Sequence, residues 1–161
     1  MNELLADVET EESVEMGSHN HAMVQTNLGF LLKRLGKYSV FTELSLDSSG
    51  IDLKQFNVRD EVKPDLCLYA KRSLSRPFDI LKMAEMPFLA VEILSPRQGV
   101  QDILEKFAAY FVLGVKSCWL VDPITAIVAV YSALDQHKIY SDGEVIDETL
   151  DIRLPFAEIF E

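Results

Sequence analysis

The stretch FLAVEILSPRQGVQDILEKFAAYFVLGVKSCWLVD, residues 88–122, predicts two buried strands joined by one helix. Its first part, Phe88 to Leu94, is apolar except for Glu92, a pattern typical of a strand that is buried on both faces. The chain then returns through Gly114 to a second apolar run, Cys118 to Val121. Because a strand, a helix and a strand follow one another, the stretch predicts an α/β sheet with one crossover helix.

The carboxylate in the first of these strands marks a candidate site. Burying Glu92 costs several kcal/mol unless a cation or hydrogen bonds compensate it. Asp102, Lys106 and Tyr110 recur every four residues in the following helix and therefore share one of its faces. The alternatives are an ordinary surface pair between Asp102 and Lys106, and a Tyr110 that faces the core.

Composition indicates one folded domain without a membrane span. The chain has 161 residues, 48% of them hydrophobic, and no apolar run approaches the roughly 18 residues of a span. The first 15 residues are acidic and lack the basic region of a signal peptide, so we expect a cytoplasmic protein. We expect an acidic arm over residues 1–18 and one domain over 19–161. Cys67 and Cys118 lie in apolar runs and are predicted to be buried, reduced thiols.

The net charge of −11 argues against nucleic acid as a partner, but the charge is unevenly distributed. Residues 1–15 hold six acids and no base, and residues 142–161 hold seven acids and one base. Residues 16–141 are nearly neutral and include a basic segment between Lys63 and Lys82. Contact with phosphate is therefore permitted, although a solvated loop is the alternative.

Periodicity outlines the rest of the chain. The predicted elements are a helix over 19–35, a strand over 38–46, a loop with a short strand over 47–63, a strand over 65–70, a loop or broken helix over 71–87, and a hairpin of strands 127–133 and 138–140. Ser18 or Asn20 is expected to cap the first helix. The apolar residues of the last segment, residues 150–161, are expected to pack on the core.

Three carboxylates interrupt predicted strands: Glu43, Asp65 and Glu92. Carboxylate oxygens suit Mg²⁺ or Mn²⁺, which one or two such groups hold together with water and substrate phosphate. An ion of this kind can generate a hydroxide nucleophile that attacks a phosphodiester. Lys106 is the candidate for stabilising the charge that develops on the phosphate.

These residues carry a resemblance to a known family. The motifs are Pro64-Asp65, Val91-Glu92-Ile93 with Leu94-Ser95-Pro96, Asp102…Lys106…Tyr110, Gly114-Val115 and Trp119-Leu120-Val121-Asp122-Pro123. In this order and spacing they resemble the Uma-type endonuclease family, a branch of the PD-(D/E)XK restriction-endonuclease-like superfamily. The resemblance covers residues 19–161.

The resemblance implies a restriction-endonuclease-like mixed central β-sheet flanked by helices, with DNA as substrate. It implies that Asp65, Glu92 and the backbone carbonyl of Ile93 bind Mg²⁺ (or Mn²⁺). Leu94 stands where the superfamily has its motif lysine, and Lys106 matches the family's lysine on the next helix.

Further family positions are less uniform. Glu43 and His19 correspond to such positions and are expected to help with the metal or the water, and Asp102 and Tyr110 are secondary candidates. Folds of this type often act as dimers, so we expect a homodimer through the hairpin or the tail. Two rival interpretations are a catalytically inactive binding domain of the same fold and a metal-assisted hydrolase of a small phosphorylated substrate.

Overall fold

The computed structural model describes residues 17–58 and 62–161, so the predicted acidic arm lies outside the described residues except for Gly17 and Ser18. The elements in chain order are α1 (His19–Arg34), β1 (Tyr38–Thr42), a 3-10 helix (Leu53–Phe56), β2 (Leu66–Ala70), β3 (Leu89–Ile93), α2 (Val100–Leu113), β4 (Ser117–Asp122), β5 (Ile127–Ala133), β6 (Gln136–Tyr140), β7 (Glu144–Asp147), β8 (Ile152–Pro155) and α3 (Phe156–Ile159). No helix among the described residues has the length and hydropathy to cross a membrane.

The first six strands form one mixed sheet in the order β1-β2-β3-β4-β5-β6. Neighbouring strands in it are antiparallel except β3 and β4, which run parallel because α2 crosses over between them. The strand, helix and strand predicted for residues 88–122 are confirmed. The strands β7 and β8 form a separate two-stranded ribbon.

A hydrophobic core lies on each face of the sheet. On one face, α1, the β7–β8 ribbon and α3 pack against alternate residues of the central strands, among them Val91, Ile93 and Trp119. On the other face, Ile103, Phe107 and Tyr110 of α2 pack against the intervening residues. Both cysteines are buried and reduced in the second core, as predicted. The buried residues of the last segment also confirm the prediction made for it; they are Ile152, Leu154, Phe156 and Ile159.

Strand β1 is shorter than predicted. The alternating pattern indicated a strand as far as Leu46, but β1 ends at Thr42 and Glu43 adopts a left-handed backbone with φ of 53°. Leu46 then bonds to the backbone of Val62 and bridges to Met83, so the chain has left β2. The short strand expected within residues 47–63 is replaced by the 3-10 helix, and residues 71–87 form a loop.

A buried carboxylate fastens the ribbon to the sheet. Asp147 of β7 is 1% exposed, and its Oδ2 accepts hydrogen bonds from the Ser117 hydroxyl and from Trp119 Nε1 at 2.8 Å. Its Oδ1 accepts from the Leu150 N–H at 3.1 Å. Because every contact is a donor, the charge is buried without an ion pair among the described residues.

Candidate active site

Three acidic residues lie side by side at one edge of the sheet. Thr42 pairs with Leu66 across β1 and β2, and Leu66 pairs with Val91 across β2 and β3. Continuing that register, Glu43, Asp65 and Glu92 occupy neighbouring positions on three adjacent strand ends. The sheet therefore places the three strand carboxylates that the sequence singled out at neighbouring backbone positions, although the three side chains do not converge on one point.

Asp65 is held by contacts to its carboxylate and to its backbone oxygen. Its Oδ2 accepts a hydrogen bond from the Ile93 N–H at 2.7 Å and lies 3.1 Å from His21 Nε2. Its backbone oxygen accepts from Gln25 Nε2 at 2.9 Å and from the Glu43 N–H at 3.3 Å. The carboxylate is thus fixed in position by β3 and by the first turns of α1.

Glu92 is 3% exposed, on the face of β3 that α2 covers. The Tyr110 hydroxyl donates a hydrogen bond to its Oε1 at 2.5 Å. Burial and the nearby charge of Asp65 raise the pKa of Glu92 well above its ordinary value, and the charge of Lys106 opposes them. Two carboxylates therefore lie close together, with the charge of Lys106 acting on Glu92 and His21 in contact with Asp65.

The three residues predicted on α2 lie in different surroundings. Tyr110 is buried and bonded to Glu92, so it faces the core and the site at once. Lys106 lies one turn earlier, half-buried beside Val58 and Val62, and forms no ion pair with a described carboxylate. Asp102 is exposed and accepts from the Gly99 N–H at 3.3 Å, which caps its own helix.

The histidine that contacts Asp65 is His21, whereas the sequence motifs favoured His19. His19 is exposed and pairs with the side chain of Asn20 at 2.8 Å. The hydrogen bond with Asp65 raises the pKa of His21, with burial opposing it. The signal was present in the sequence, because His21 and Gln25 lie on the stripe of α1 that continues through the buried Leu28 and Leu32.

The site fits a hard divalent cation with few protein ligands. Among the described residues, no group of three or more metal-ligating side chains converges. Mg²⁺ requires fewer, because one or two carboxylates with water and substrate phosphate complete its shell. The paired acids Asp65 and Glu92 offer such a set, and their mutual repulsion is the kind that a cation relieves.

The basic segment is divided between the two ends of β2. Lys63 is exposed two residues before Asp65, while Lys71 and Arg72 follow β2 at its other end, about 20 Å away for an extended strand. Arg72 is also occupied, with Glu85 at 3.1 Å and the Tyr69 ring at 4.5 Å. The segment does not form one continuous basic rim around the acids.

A mixed sheet with helices on both faces and paired acids on adjacent strand ends defines a restriction-endonuclease-like α/β domain. Residues 4–158 match the Uma2 family, described as "Putative restriction endonuclease", and the chain belongs to that family. The family and the fold predicted from the sequence are confirmed.

A solved structure shares this fold. It is the crystal structure of "a putative nuclease belonging to DUF820" from Anabaena variabilis ATCC 29413, with a TM-score of 0.67 and 17% sequence identity. The match covers 89% of this chain and 82% of that one. No curated protein matches the chain.

Proposed function

We propose that the protein is a metal-dependent endonuclease that hydrolyses DNA phosphodiester bonds. The observation that carries the proposal is the placement of Asp65 beside the buried Glu92, at strand ends of a domain that belongs to a nuclease-like family. The proposed ligands of Mg²⁺ or Mn²⁺ are both carboxylates and the backbone carbonyl of Ile93. Glu43 is a further candidate ligand at the same edge.

The chain's own residues prepare this site. The Ile93 N–H and His21 hold the carboxylate of Asp65, and the hydroxyl of Tyr110 orients that of Glu92. A bound divalent ion supplies Lewis-acid stabilisation of the phosphate and a more acidic water. His21 and Tyr110 are positioning residues in this scheme, since each acts through a carboxylate.

Lys106 is the proposed source of positive charge for the phosphate that is attacked. Its charge reaches Glu92 strongly enough to oppose the rise in the pKa of that residue. No described carboxylate forms an ion pair with Lys106, and in this proposal its ammonium group meets the substrate phosphate. Leu94, at the position of the superfamily's motif lysine, has no charge to contribute.

A non-catalytic binding domain is the alternative function, and the observation that favours it is the apolar Leu94 at the position of the superfamily's motif lysine. Nicking of supercoiled plasmid in Mg²⁺ or Mn²⁺ distinguishes the two. We expect metal-dependent nicking by the wild type and its loss in Asp65→Ala and Lys106→Ala.

Matched controls are Asp135→Ala and Lys116→Ala, which remove exposed charges outside the site. Nicking that persists in Asp65→Ala would sink the proposed metal site. Loss in Asp65→Ala with activity retained in Lys106→Ala would leave the metal site standing and remove the lysine assignment. If the folded wild type does not nick plasmid with either metal, the non-catalytic binding domain becomes the better-supported interpretation.

We also propose a homodimer through the β5–β6 hairpin. The tail is the weaker candidate because Phe156 and Ile159 are buried within their own chain. The edge strand β6 instead presents Ile139 at 59% exposure and backbone groups that no described strand covers. Sedimentation velocity of the wild type and Ile139→Lys tests this, and a monomeric wild type would reject it.

A further inference from the structure

A cavity of about 570 Å³ opens beside the paired acids. Three segments that flank the site line it: the start of α1, the loop after β3, and the end of β4. Its volume falls within the usual range for a pocket that holds a small organic group. The carboxylates Glu43, Asp65 and Glu92 are not among its lining residues, so the cavity is distinct from the proposed metal site.

The walls of the cavity are apolar. Leu94, Pro96 and Val100 form one side, and Pro123 with Ile124 forms another. Val100 is 47% exposed and Ile124 is 78% exposed, so large apolar side chains stand uncovered at the opening. Such walls suit a flat, apolar-faced group that enters from solvent.

One polar side chain that lines the cavity lacks the partner expected of it. Ser18 occupies the position that caps α1, yet its hydroxyl makes no capping hydrogen bond. Its Oγ is buried and has no hydrogen-bond partner among the described residues. The amide side chains of Asn20 and Gln98 line the same space. A hydroxyl and two amides between apolar walls can read the donors and acceptors of a base edge.

The charge of the cavity selects a base over a second phosphate. Its titratable lining residues are His19, whose Nδ1 pairs with Asn20 Oδ1 at 2.8 Å, and Asp122. The carboxylate of Asp122 accepts from the Ile124 N–H at 3.0 Å and from the Thr125 hydroxyl at 2.7 Å. A fixed negative charge repels a phosphate but leaves a neutral nucleobase unaffected.

The cavity lies within reach of the paired acids. Ser95 is two residues after Ile93, a span of at most about 7 Å, and Asn20 directly precedes His21. We infer that this cavity receives a nucleobase displaced from the substrate strand, so that the preferred substrate is DNA with an unpaired base, single-stranded or mismatched. The inference rests on the proposed function, because it assumes a nucleic-acid substrate at Asp65 and Glu92.

Binding in EDTA tests the inference without cleavage. The probes are a single strand, its matched duplex and a duplex with one mismatch, each labelled for anisotropy, with 2-aminopurine at the mismatch as a second reporter. We expect the wild type to bind the single strand and the mismatched duplex about tenfold more tightly than the matched duplex. The 2-aminopurine fluorescence is expected to change on binding.

Two cavity variants and two matched controls complete the design. Gln98→Leu and Ile124→Ala are expected to lose about tenfold in affinity for the unpaired probes while keeping their affinity for the matched duplex. Ile124 is largely exposed, so its truncation leaves the fold intact. Gln55→Leu and Ile80→Ala make the same chemical changes at exposed positions outside the cavity and outside the β5–β6 hairpin, and are expected to behave as the wild type.

Equal affinity for all three probes, or equal weakening by cavity and control variants, would overturn the inference. Its failure is separable from that of the proposed function. Metal-dependent nicking without any preference for unpaired bases would reject the nucleobase site in the cavity, and the proposed nuclease function would stand. If the protein never nicks DNA but prefers probes with unpaired bases, and Gln98→Leu removes that preference, the nucleobase site would stand and the nuclease function would be rejected.

Discussion

Glu92 serves the proposed chemistry at the expense of stability. Its carboxylate is buried next to Asp65, and both burial and that charge raise its pKa. The folded protein therefore binds this proton more tightly than the unfolded chain does. Stability is lost as the pH rises above 4.5, the ordinary pKa of the group, towards the raised pKa.

Glu92→Gln is consequently expected to stabilise the metal-free protein at neutral pH by about 1–3 kcal/mol, because the amide carries no charge to bury. Urea unfolding in EDTA measures the difference. The difference in free energy of unfolding between Glu92→Gln and the wild type should shrink towards zero as the pH falls below 4.5. Equal stability at neutral pH would mean that Lys106 already compensates the charge.

The cysteines provide a test of burial at the same scale. Burial raises the pKa of Cys67 to about 12, and it also raises that of Cys118. Because each thiol keeps its proton at mildly alkaline pH, we expect neither to react with a thiol reagent until the protein is unfolded in urea. Fast reaction of one thiol in native conditions would show that its core opens locally.

Individual residues were predictable where they broke a pattern. Asp65 and Glu92 interrupt apolar runs, so the sequence marked them, and the structure places them together. His21 lies on the inward stripe of α1, which the sequence indicates, but a polar residue at the first turn of a helix is ordinary. Its role depends on a contact with Asp65, which is 44 positions away. Such a partner is visible only once the register of the sheet is known.

Among the elements, the β7–β8 ribbon depends on one buried group. Asp147 accepts from Ser117, Trp119 and the Leu150 N–H, so its removal leaves buried donors without partners. Asp147→Ala is expected to cost about 3 kcal/mol. Urea unfolding followed by the fluorescence of Trp119, the single tryptophan, reports both the stability and the local change.

The exposed Asp142→Ala, in the turn before β7, is the matched control and should leave both signals unchanged. If Asp147→Ala were as stable as that control, the buried hydrogen bonds would contribute nothing to the attachment of the ribbon.

Elements were predictable where burial on two faces gave an unambiguous pattern, as in β3 and β4. The end of β1 was not predictable. Alternation of apolar and polar residues indicates which face a side chain occupies, but it does not indicate where pairing with the neighbouring strand stops. Leu44 and Leu46 continue the alternation, yet the left-handed backbone at Glu43 has already turned the chain from β2. Their apolar character reflects contact with the second core.

At the scale of the whole molecule, α1 is tied to the last described segment. Asn27 Nδ2 donates to the backbone oxygens of Ile159 at 3.0 Å and of Glu161 at 2.7 Å. Asn27→Ala is expected to cost about 1–2 kcal/mol and to increase amide exchange in residues 152–161. Thr26→Ala, an exposed neighbour on α1, should change neither quantity.

This tie between distant segments has a consequence for synthesis on the ribosome. Residues 19–34 are made before β7 and residues 152–161, which pack with α1 in the same core. Until residues 152–161 emerge, an apolar surface of α1 and the central strands has no cover. The nascent chain therefore stays open to chaperones and proteases until that segment emerges, and a ribosome stalled before β8 would release a chain that cannot close this core.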